Sequence, residues 1–269
     1  MLRIGAHVGS ADPLAAAAAR GAEVAQFFLG DPQDWKGPVL PGGPAADPAE
    51  FRRATAAAGV DVYVHAPYVM NVAATNNRIR IPSRKLLTQH AEAAASIGAK
   101  AMIVHAGHVL ASEDPAVGFA NWQKVFERTD FPLPLLIENT AGGGHAMART
   151  LDAIARLWDA IDAGGAAGKA GFCLDTCHAH AGGEELAGIV ARVTAITGRI
   201  DLVHCNNSRD EFGSRRDRHD NLENGMIDPK LIAEVVRAAG APVVCETPDA
   251  DGGQAADIRW LREQLGRAA

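Results

Sequence analysis

The stretch Val62-Tyr63-Val64-His65 is a short apolar run that ends on a residue able to bind a metal ion. Five later runs have the same form, and they end on His105, Glu138, Asp175, His204 and Glu246. Successive end residues lie 29 to 42 positions apart, which is about the length of one strand followed by one helix. The recurrence predicts a set of strands whose ends bring histidine and carboxylate side chains to one place.

Strand and helix signals alternate along nearly the whole chain. Short apolar segments predict eight buried strands, at residues 3–8, 24–29, 61–66, 101–106, 135–139, 171–176, 200–205 and 242–247. Alanine-rich stretches predict eight helices, near residues 12–20, 47–58, 83–98, 114–128, 146–162, 184–196, 228–239 and 253–266. Three of these helices begin with an aspartate that can cap the helix, followed by a proline, at Asp47-Pro48, Asp114-Pro115 and Asp228-Pro229.

This alternation predicts an α/β fold, a single (β/α)8 TIM barrel domain over residues 1–269. A length of 269 residues, of which 48% are hydrophobic, suits one such domain. The Gly-x-Gly-x-x-Gly signature of an open dinucleotide-binding sheet does not follow the first predicted strand. Because the active site of a barrel lies at the C-terminal ends of its strands, a metal site is predicted at that end.

Charge and cysteine content narrow the class of protein. The formal net charge of −6 argues against binding of nucleic acid through an overall excess of basic charge. Bound divalent cations would offset that charge, so DNA is not excluded. The four cysteines lie in or beside apolar runs, which favours a reducing compartment. With no signal-like N-terminal segment and no apolar stretch of the ~18–20 residues that cross a bilayer, a cytoplasmic protein without membrane attachment is predicted.

Two short motifs add three candidates to the six end residues. Asp175-Thr176-Cys177-His178 supplies His178, and Asp217-Arg218-His219 places two ligand types at i and i+2 in the polar loop 206–227. Mixed imidazole and carboxylate ligands suit Zn²⁺ or Mn²⁺, and nine candidates suffice for more than one ion. Since paired metal ions stabilise the attacking and leaving oxygens of a displacement at phosphorus, the set predicts phosphate-ester hydrolysis.

Other side chains are predicted on the same face of the barrel. Basic residues at 78–85 and 209–218 are placed to hold phosphates, and Trp35 and Tyr68 offer flat groups that could stack on or wedge into a duplex. His7 and His108 are interpreted as neighbours of the ligands or substrate contacts. His90 and His145 are predicted to lie at the surface, and His180 is left unassigned.

Seven motifs along the chain carry a resemblance to a known family. They are Ile4-Gly5-Ala6-His7-Val8, His65-Ala66-Pro67-Tyr68, the strand end at His105, Ile137-Glu138-Asn139-Thr140-Ala141-Gly142, Cys173-Leu174-Asp175-Thr176-Cys177-His178, Phe212-Gly213-Ser214-Arg215-x-Asp217-Arg218-His219 and Cys245-Glu246-Thr247. With them the chain resembles the endonuclease IV family of apurinic/apyrimidinic endonucleases, zinc enzymes of DNA base-excision repair. The resemblance spans the chain and implies a (β/α)8 barrel.

The resemblance also implies a trinuclear zinc site, with Mn²⁺ able to occupy part of it. The implied ligands are His65, His105 and Glu138 for one ion, Glu138, Asp175, His204 and Glu246 for the second, and His178, Asp217 and His219 for the third. Glu138 bridges two ions and is the implied catalytic residue. The implied reaction is attack by a metal-bridging hydroxide on the phosphate 5′ of an abasic nucleotide, which leaves a 3′-hydroxyl and a 5′-deoxyribose phosphate.

Duplex DNA with abasic or 3′-blocked lesions is the implied partner. The resemblance places DNA contacts at His7, Gln33, Tyr68, Asn71, His108, Ser214, Arg215 and Arg218. Three positions depart from the family pattern: Asn207 replaces a common aspartate, Glu223 a usual glycine, and Gln33 an arginine that some members insert into DNA. These departures leave the ligand set intact and bear on the rate and on DNA affinity.

Two other functions stay open from the residues alone. One is a divalent-metal sugar isomerase or epimerase on the same barrel, since the fold does not fix the function. The other is a non-catalytic, metal-stabilised binder of DNA lesions. A third metal set at Asp217 and His219 counts against the isomerase, and a bridging Glu138 counts against the binder. A monomer with no obligate protein partner is expected.

Overall fold

Eight parallel strands close into a barrel in the computed structural model, which describes residues 2–43, 46–166 and 168–266. The strands are β1 Ile4–His7, β2 Val24–Phe28, β3 Asp61–His65, β4 Met102–His105, β5 Leu135–Glu138, β6 Ala170–Asp175, β7 Leu202–His204 and β8 Val243–Cys245. Each strand pairs with the next one along the chain, and β8 pairs with β1. The predicted α/β class and (β/α)8 TIM barrel are confirmed.

Helices follow the strands and cover the outside of the barrel. Within the described ranges they are α1 Pro13–Ala19, α2 Pro48–Ala58, α3 Asn77–Ser96, α4 Pro115–Arg128, α5 Leu151–Ala163, α6 Thr176–Gly182, α7 Ile189–Thr197, α8 Pro229–Ala239 and α9 Gly253–Gln264. The side chains of Asp47, Asp114 and Asp228 each accept a hydrogen bond from a first-turn amide, as predicted. In the part of the chain that is described, every helix is too short or too polar to cross a membrane.

Two helices that precede β6 begin several residues away from their predicted starts. The helix predicted from 83 begins at Asn77, because the Asn76 side chain caps it and Pro82 is accommodated inside it. The helix predicted from 146 begins at Leu151, where Thr150 caps it. Residues His145–Ala146 pair instead with His108–Val109 in a small antiparallel sheet. Local capping and a short pairing between loops therefore override the alanine-rich composition.

The chain after β6 also differs from the prediction. A short helix that was not predicted, α6, begins directly after Asp175, whose Oδ1 accepts a 2.7 Å hydrogen bond from the His178 amide. The helix predicted from 184 begins only at Ile189. Glu184 lies outside this helix, and its Oε1 accepts a hydrogen bond from the Leu151 amide. The polar loop 206–227 is pinned by pairing of Asn207–Ser208 with His219–Asp220.

Apolar residues fill the inside of the barrel beneath the strand ends. The interior cluster consists of Val24, Tyr63, Ala101, Ile103, Leu136, Cys173, Leu202 and Val244. Closure between β1 and β2 requires a glycine, because a Cβ at Gly5 would lie 1.8 Å from the Val24 carbonyl oxygen. The packed interior gives the residues at the strand ends a rigid floor.

The prediction that His90 lies at the surface is wrong. His90 is 1% exposed, and both of its ring nitrogens are buried without a hydrogen-bond partner in the described chain. It follows Leu86 by four residues and Leu87 by three, which places it on the inner face of α3. Burial lowers the pKa of His90 to about 4. The imidazole is therefore held neutral in the folded protein.

We expect His90→Leu to remove part of the acid sensitivity of the fold. A histidine with a folded-state pKa of about 4 and an unfolded value near 6.5 makes stability fall as the pH drops from about 6.5 to about 4. The wild type should lose up to about 3 kcal/mol more than the variant across this window. Urea unfolding at several pH values measures the difference. His108→Leu, at an exposed histidine, is the control, and identical pH profiles for wild type and His90→Leu would contradict the prediction.

Candidate metal centre

The six end residues of the apolar runs converge at one end of the barrel. Strands β3 to β7 finish on His65, His105, Glu138, Asp175 and His204, and Glu246 directly follows β8. Glu138, Asp175 and His204 are completely buried. The parallel register of neighbouring strands brings these groups together, with His105 opposite Glu138 and Asp175 opposite His204.

One group consists of His65, His105 and Glu138. Their nearest ligand atoms lie within 4.8 Å of one another, and Glu138 Oε2 is 3.2 Å from His65 Nε2 and 3.1 Å from His105 Nε2. His65 Nδ1 lies 2.8 Å from the Ala66 carbonyl oxygen, to which it donates. That hydrogen bond leaves the Nε2 lone pair of a neutral His65 directed at the cluster.

A second group shares Glu138 with the first. Glu138, Asp175, His204 and Glu246 offer ligand atoms within 4.8 Å of one another. His204 Nδ1 lies 3.0 Å from Glu138 Oε1 and 3.3 Å from Glu246 Oε2. The two oxygens of Glu138 are thus divided, Oε2 toward the first group and Oε1 toward the second. A carboxylate placed in this way can bridge two cations.

The third group consists of His178, Asp217 and His219. Asp217 Oδ1 lies 3.1 Å from His178 Nε2 and 3.2 Å from His219 Nε2. Helix α6 carries His178, and the pairing of His219–Asp220 with Asn207–Ser208 holds His219. Both Nε2 atoms are buried without a hydrogen-bond partner in the described chain. Because such atoms are rare in proteins, two of them facing one carboxylate oxygen fit a bound metal ion.

Charges within the site compensate one another. Burial would raise the pKa of Glu138, but the neighbouring imidazoles, His204 foremost, hold that pKa well below its usual value. Burial would lower the pKa of His178, but Asp175 and Asp217 hold it well above its usual value. Protons on the imidazoles thus balance the carboxylates. Since metal ligands must be deprotonated, cations binding here would displace these protons.

Three buried amide side chains that were not predicted to have a role hold the candidate ligands. Asn139 pairs with the backbone of Asp175 through hydrogen bonds of 2.8 and 2.9 Å. Asn206 Nδ2 donates to Asp175 Oδ2 at 2.7 Å, and Gln26 contacts both His204 and Glu246. A signal was present in the sequence, since an amide inside or just after an apolar strand must find a polar partner when buried.

The site opens into two adjoining cavities. The larger, about 490 Å³, is lined by residues that include Trp35, Tyr68, Asn71, His108 and Arg215. The smaller, about 200 Å³, is lined by His7 and by residues of the three groups among others. Tyr68 lies at the boundary of the two, 55% exposed, with its ring stacked against His105 at 5.9 Å between centroids. The cavities give an extended ligand access to the candidate metal ligands.

The predicted DNA contacts fall into two sets in the structure. His7, Tyr68, Asn71, His108 and Arg215 line the cavities. Gln33, Ser214 and Arg218 line neither cavity. Arg218 is engaged within its own loop, where its Nε donates to Asp210 Oδ2 at 2.7 Å.

The loop that carries Asp217 is held in a strained conformation. Arg215 has a φ of 60°, which is uncommon for a residue other than glycine, and its amide donates to the Ala181 carbonyl at 2.8 Å. A Cβ at Gly142 would lie 2.6 Å from the Arg215 carbonyl oxygen. Close packing of these two loops fixes the approach of Asp217 to His178.

The fold and the site place the chain in the class of xylose isomerase-like TIM barrel proteins, whose family model matches residues 14–264. Within that class, the chain is 56% identical over 263 residues to the probable endonuclease 4 of Mycobacterium tuberculosis, covering 98% of this chain and 99% of that relative. The chain belongs to the endonuclease IV family, and the predicted resemblance is confirmed.

Solved structures agree with this assignment. Endonuclease IV from Thermus thermophilus matches with a TM-score of 0.81 and 28% identity, over 99% of this chain and all of that one. A D-tagatose 3-epimerase-like protein matches with a TM-score of 0.75 and 17% identity, over 98% of this chain and 97% of that one. The second likeness is one of fold alone.

We expect His219→Gln to lower the divalent-metal content by about one ion per chain, because the third group would lose one of its two imidazole nitrogens. Elemental analysis of the purified, metal-loaded protein measures the content. His145→Gln is the matched control, since His145 Nε2 contacts the Ala111 carbonyl oxygen, at 3.0 Å, and belongs to none of the three groups. Equal metal content in wild type and His219→Gln would contradict a metal-binding role for this group.

Proposed function

We propose that the protein is a DNA-repair endonuclease that hydrolyses the phosphodiester 5′ to an abasic site in duplex DNA. The products would be a 3′-hydroxyl and a 5′-deoxyribose phosphate, and 3′-blocked ends are a second proposed substrate. The observation that carries the proposal is Glu138, a fully buried carboxylate whose two oxygens face two different groups of candidate ligands. Membership of the endonuclease IV family supports it.

Zinc is the proposed cofactor, at three ions per chain, with Mn²⁺ as a partial substitute. The chemistry of the donors fits, because imidazole and carboxylate together suit these ions. The ligands would be His65, His105 and Glu138, then Glu138, Asp175, His204 and Glu246, then His178, Asp217 and His219. Bound zinc would supply Lewis acidity, which lowers the pKa of water and stabilises charge on the phosphate oxygens.

The residues of the site control its charge. Four carboxylates, Glu138, Asp175, Asp217 and Glu246, are concentrated in the three groups of candidate ligands. Without cations, protons on the neighbouring imidazoles balance this charge, so the site offers a phosphodiester anion no net attraction. With cations bound the same place attracts phosphate. The residues thereby make DNA binding depend on metal loading.

Residues around the larger cavity would hold the DNA. Arg215 offers a guanidinium to a phosphate, and the exposed ring of Tyr68 lies where it can pack against bases or sugars beside the missing base. Asn71 and His108 line the same cavity and His7 lines the smaller one. Gln33, Ser214 and Arg218, outside both cavities, complete the proposed contacts. These residues position the scissile phosphate over Glu138.

Two features distinguish this proposal from its alternatives. A sugar isomerase or epimerase has no need of a third metal group, and His178, Asp217 and His219 meet at one carboxylate oxygen. A binder without catalysis has no need of a carboxylate placed to bridge cations, as Glu138 is.

The single domain over residues 1–269, the monomeric state and the cytoplasmic location stay predictions. Residues 1, 44–45, 167 and 267–269 of that range lie outside the described residues.

We expect metal-loaded wild type to nick a duplex that contains a synthetic abasic analogue, on its 5′ side. Glu138→Gln should reduce nicking by about a thousandfold or more, because it removes the charge that holds two cations together. The nicked products are resolved on a denaturing gel, and circular dichroism checks the fold. Glu127→Gln, an exposed glutamate on α4, is the control.

Two results would contradict the proposed nuclease activity. Fully metallated wild type that leaves the abasic duplex intact and converts a ketose or aldose instead would establish the isomerase alternative. Tight binding of the abasic duplex without any cleavage would establish the non-catalytic binder.

A further inference from the structure

Gln26 is a fully buried polar residue in the middle of the apolar strand β2. Its amide makes close contacts with three side chains of the site. Nε2 donates to Glu246 Oε1 at 2.7 Å and lies 3.0 Å from His7 Nδ1, and Oε1 lies 2.8 Å from His204 Nε2. Every one of these contacts is directed at the candidate site. Gln26 therefore has a role beyond filling space inside the barrel.

The contacts determine which way the amide points. An ionised carboxylate only accepts hydrogen bonds, so the amide nitrogen of Gln26 must face Glu246. The amide oxygen then faces His204, and because it only accepts, His204 Nε2 must carry a hydrogen. In a neutral imidazole this places the lone pair on Nδ1. Nδ1 is the nitrogen 3.0 Å from Glu138 Oε1 and 3.3 Å from Glu246 Oε2.

We infer that Gln26 is a positioning residue that selects the metal-binding tautomer of His204 and orients Glu246 at the same time. The inference rests on the proposed metal centre. Glu246 sets the orientation of the amide, the amide sets the tautomer of His204, and both ligands thereby present their free lone pairs to one cation. Hydrogen bonds of this kind to metal ligands typically contribute about 10- to 100-fold to metal affinity.

The first test is a chelator competition that reports the zinc affinity of each variant. Gln26→Leu and Gln26→Met should both weaken binding of one zinc ion by about 10- to 100-fold. Gln254→Leu is the matched control. Gln254 is a buried glutamine as well, but its Nε2 donates to the carbonyls of His7 and Thr247 rather than to a ligand side chain. Its zinc affinity should equal that of the wild type.

The second test does not depend on whether a Gln26 variant folds. Nitrogen NMR of ¹⁵N-histidine-labelled wild type, with His204 assigned through His204→Gln, should show a protonated Nε2 and a zinc-bound Nδ1. An unprotonated Nε2, or Gln26 variants with wild-type zinc affinity, would overturn the role of Gln26. A wild type that holds no zinc would instead contradict the proposed metal centre itself, so the two failures are distinguishable.

A second inference concerns a groove beside the larger cavity, formed by residues other than Gln26 and its partners. A groove of about 660 Å³ runs along the start of α3, and Trp35 lines both the groove and the cavity. Its other walls include Arg78, Ile81, Pro82 and Lys85, and its lining has no carboxylate among the described residues. An open groove with basic and apolar walls suits a ligand that is negatively charged.

The basic residues of this segment divide into two kinds. Arg80 and Arg84 have hydrogen-bond partners within the protein, since they donate to the carbonyls of Thr75 and Asn121. Arg78 and Lys85 are exposed, and their side chains make no hydrogen bond or ion pair with the described residues. They are seven residues apart, two helical turns, and so lie on one face about 10 Å from each other along the axis.

The geometry points to this groove as the seat of the DNA backbone that flanks the lesion, with Arg78 and Lys85 on successive phosphates. This proposal rests on the proposed nuclease activity and extends the contact surface beyond the cavity across Trp35. Contacts of this kind add affinity without adding sequence preference.

We expect Arg78→Ala with Lys85→Ala to raise KM for a long abasic duplex about tenfold and leave kcat unchanged. The logarithmic slope of binding against salt concentration should fall by about two. The control double variant is Arg53→Ala with Lys124→Ala, two exposed basic residues that line neither the groove nor the cavities. A salt slope equal to that of the control would overturn the proposal. Absence of nicking by the wild type would instead contradict the nuclease.

Discussion

The structure depends on one buried carboxylate. Glu138 is completely removed from solvent, and an unpaired charge in that position would be very costly. It is tolerated because imidazole nitrogens of four histidines lie 3.0 to 3.2 Å from its two oxygens, those of His65, His105, His178 and His204. These histidines come from three other strand ends and from α6. Moving any one of these strands would remove one of the four contacts that compensate the charge of Glu138.

The barrel is suited to this constraint because its parallel strands end at one level. The interior cluster beneath the site prevents the strands from sliding, since its side chains are close-packed across the barrel axis. Gln26, Asn139 and Asn206 form a further layer that satisfies the outer atoms of the ligands. The close-packed interior cluster and the hydrogen bonds from these amides thus fix the same few side chains. A cluster of cations requires ligands that are fixed in this way.

Much of the fold and of the candidate site could be predicted from the sequence. The features that could not be predicted depend on contacts between distant parts of the chain. The strand ends were predictable because a polar residue after an apolar run is a local pattern. The role of Gln26 was not, since a glutamine inside Val24–Phe28 acquires its partners only when barrel closure places β8 beside β1 and β7 beside β8. His90 was wrongly placed because its ring has no local partner to mark it, although its spacing from Leu86 fits the buried face. The pairing of Asn207–Ser208 with His219–Asp220 is only two residues long and depends on the barrel to bring it together.

The negative net charge of the chain is compatible with a DNA substrate because the charges are spatially separated. The carboxylates of the site belong to the groups of candidate ligands, whereas Arg215 lines the larger cavity and Arg78 and Lys85 line the neighbouring groove. On the proposed function, bound cations would give the ligand groups a charge that attracts phosphate, while the basic residues around them stay unchanged. Metal loading would then precede productive DNA binding. A chain whose metal groups were empty would still meet DNA through its rim but would not hold a phosphate over Glu138.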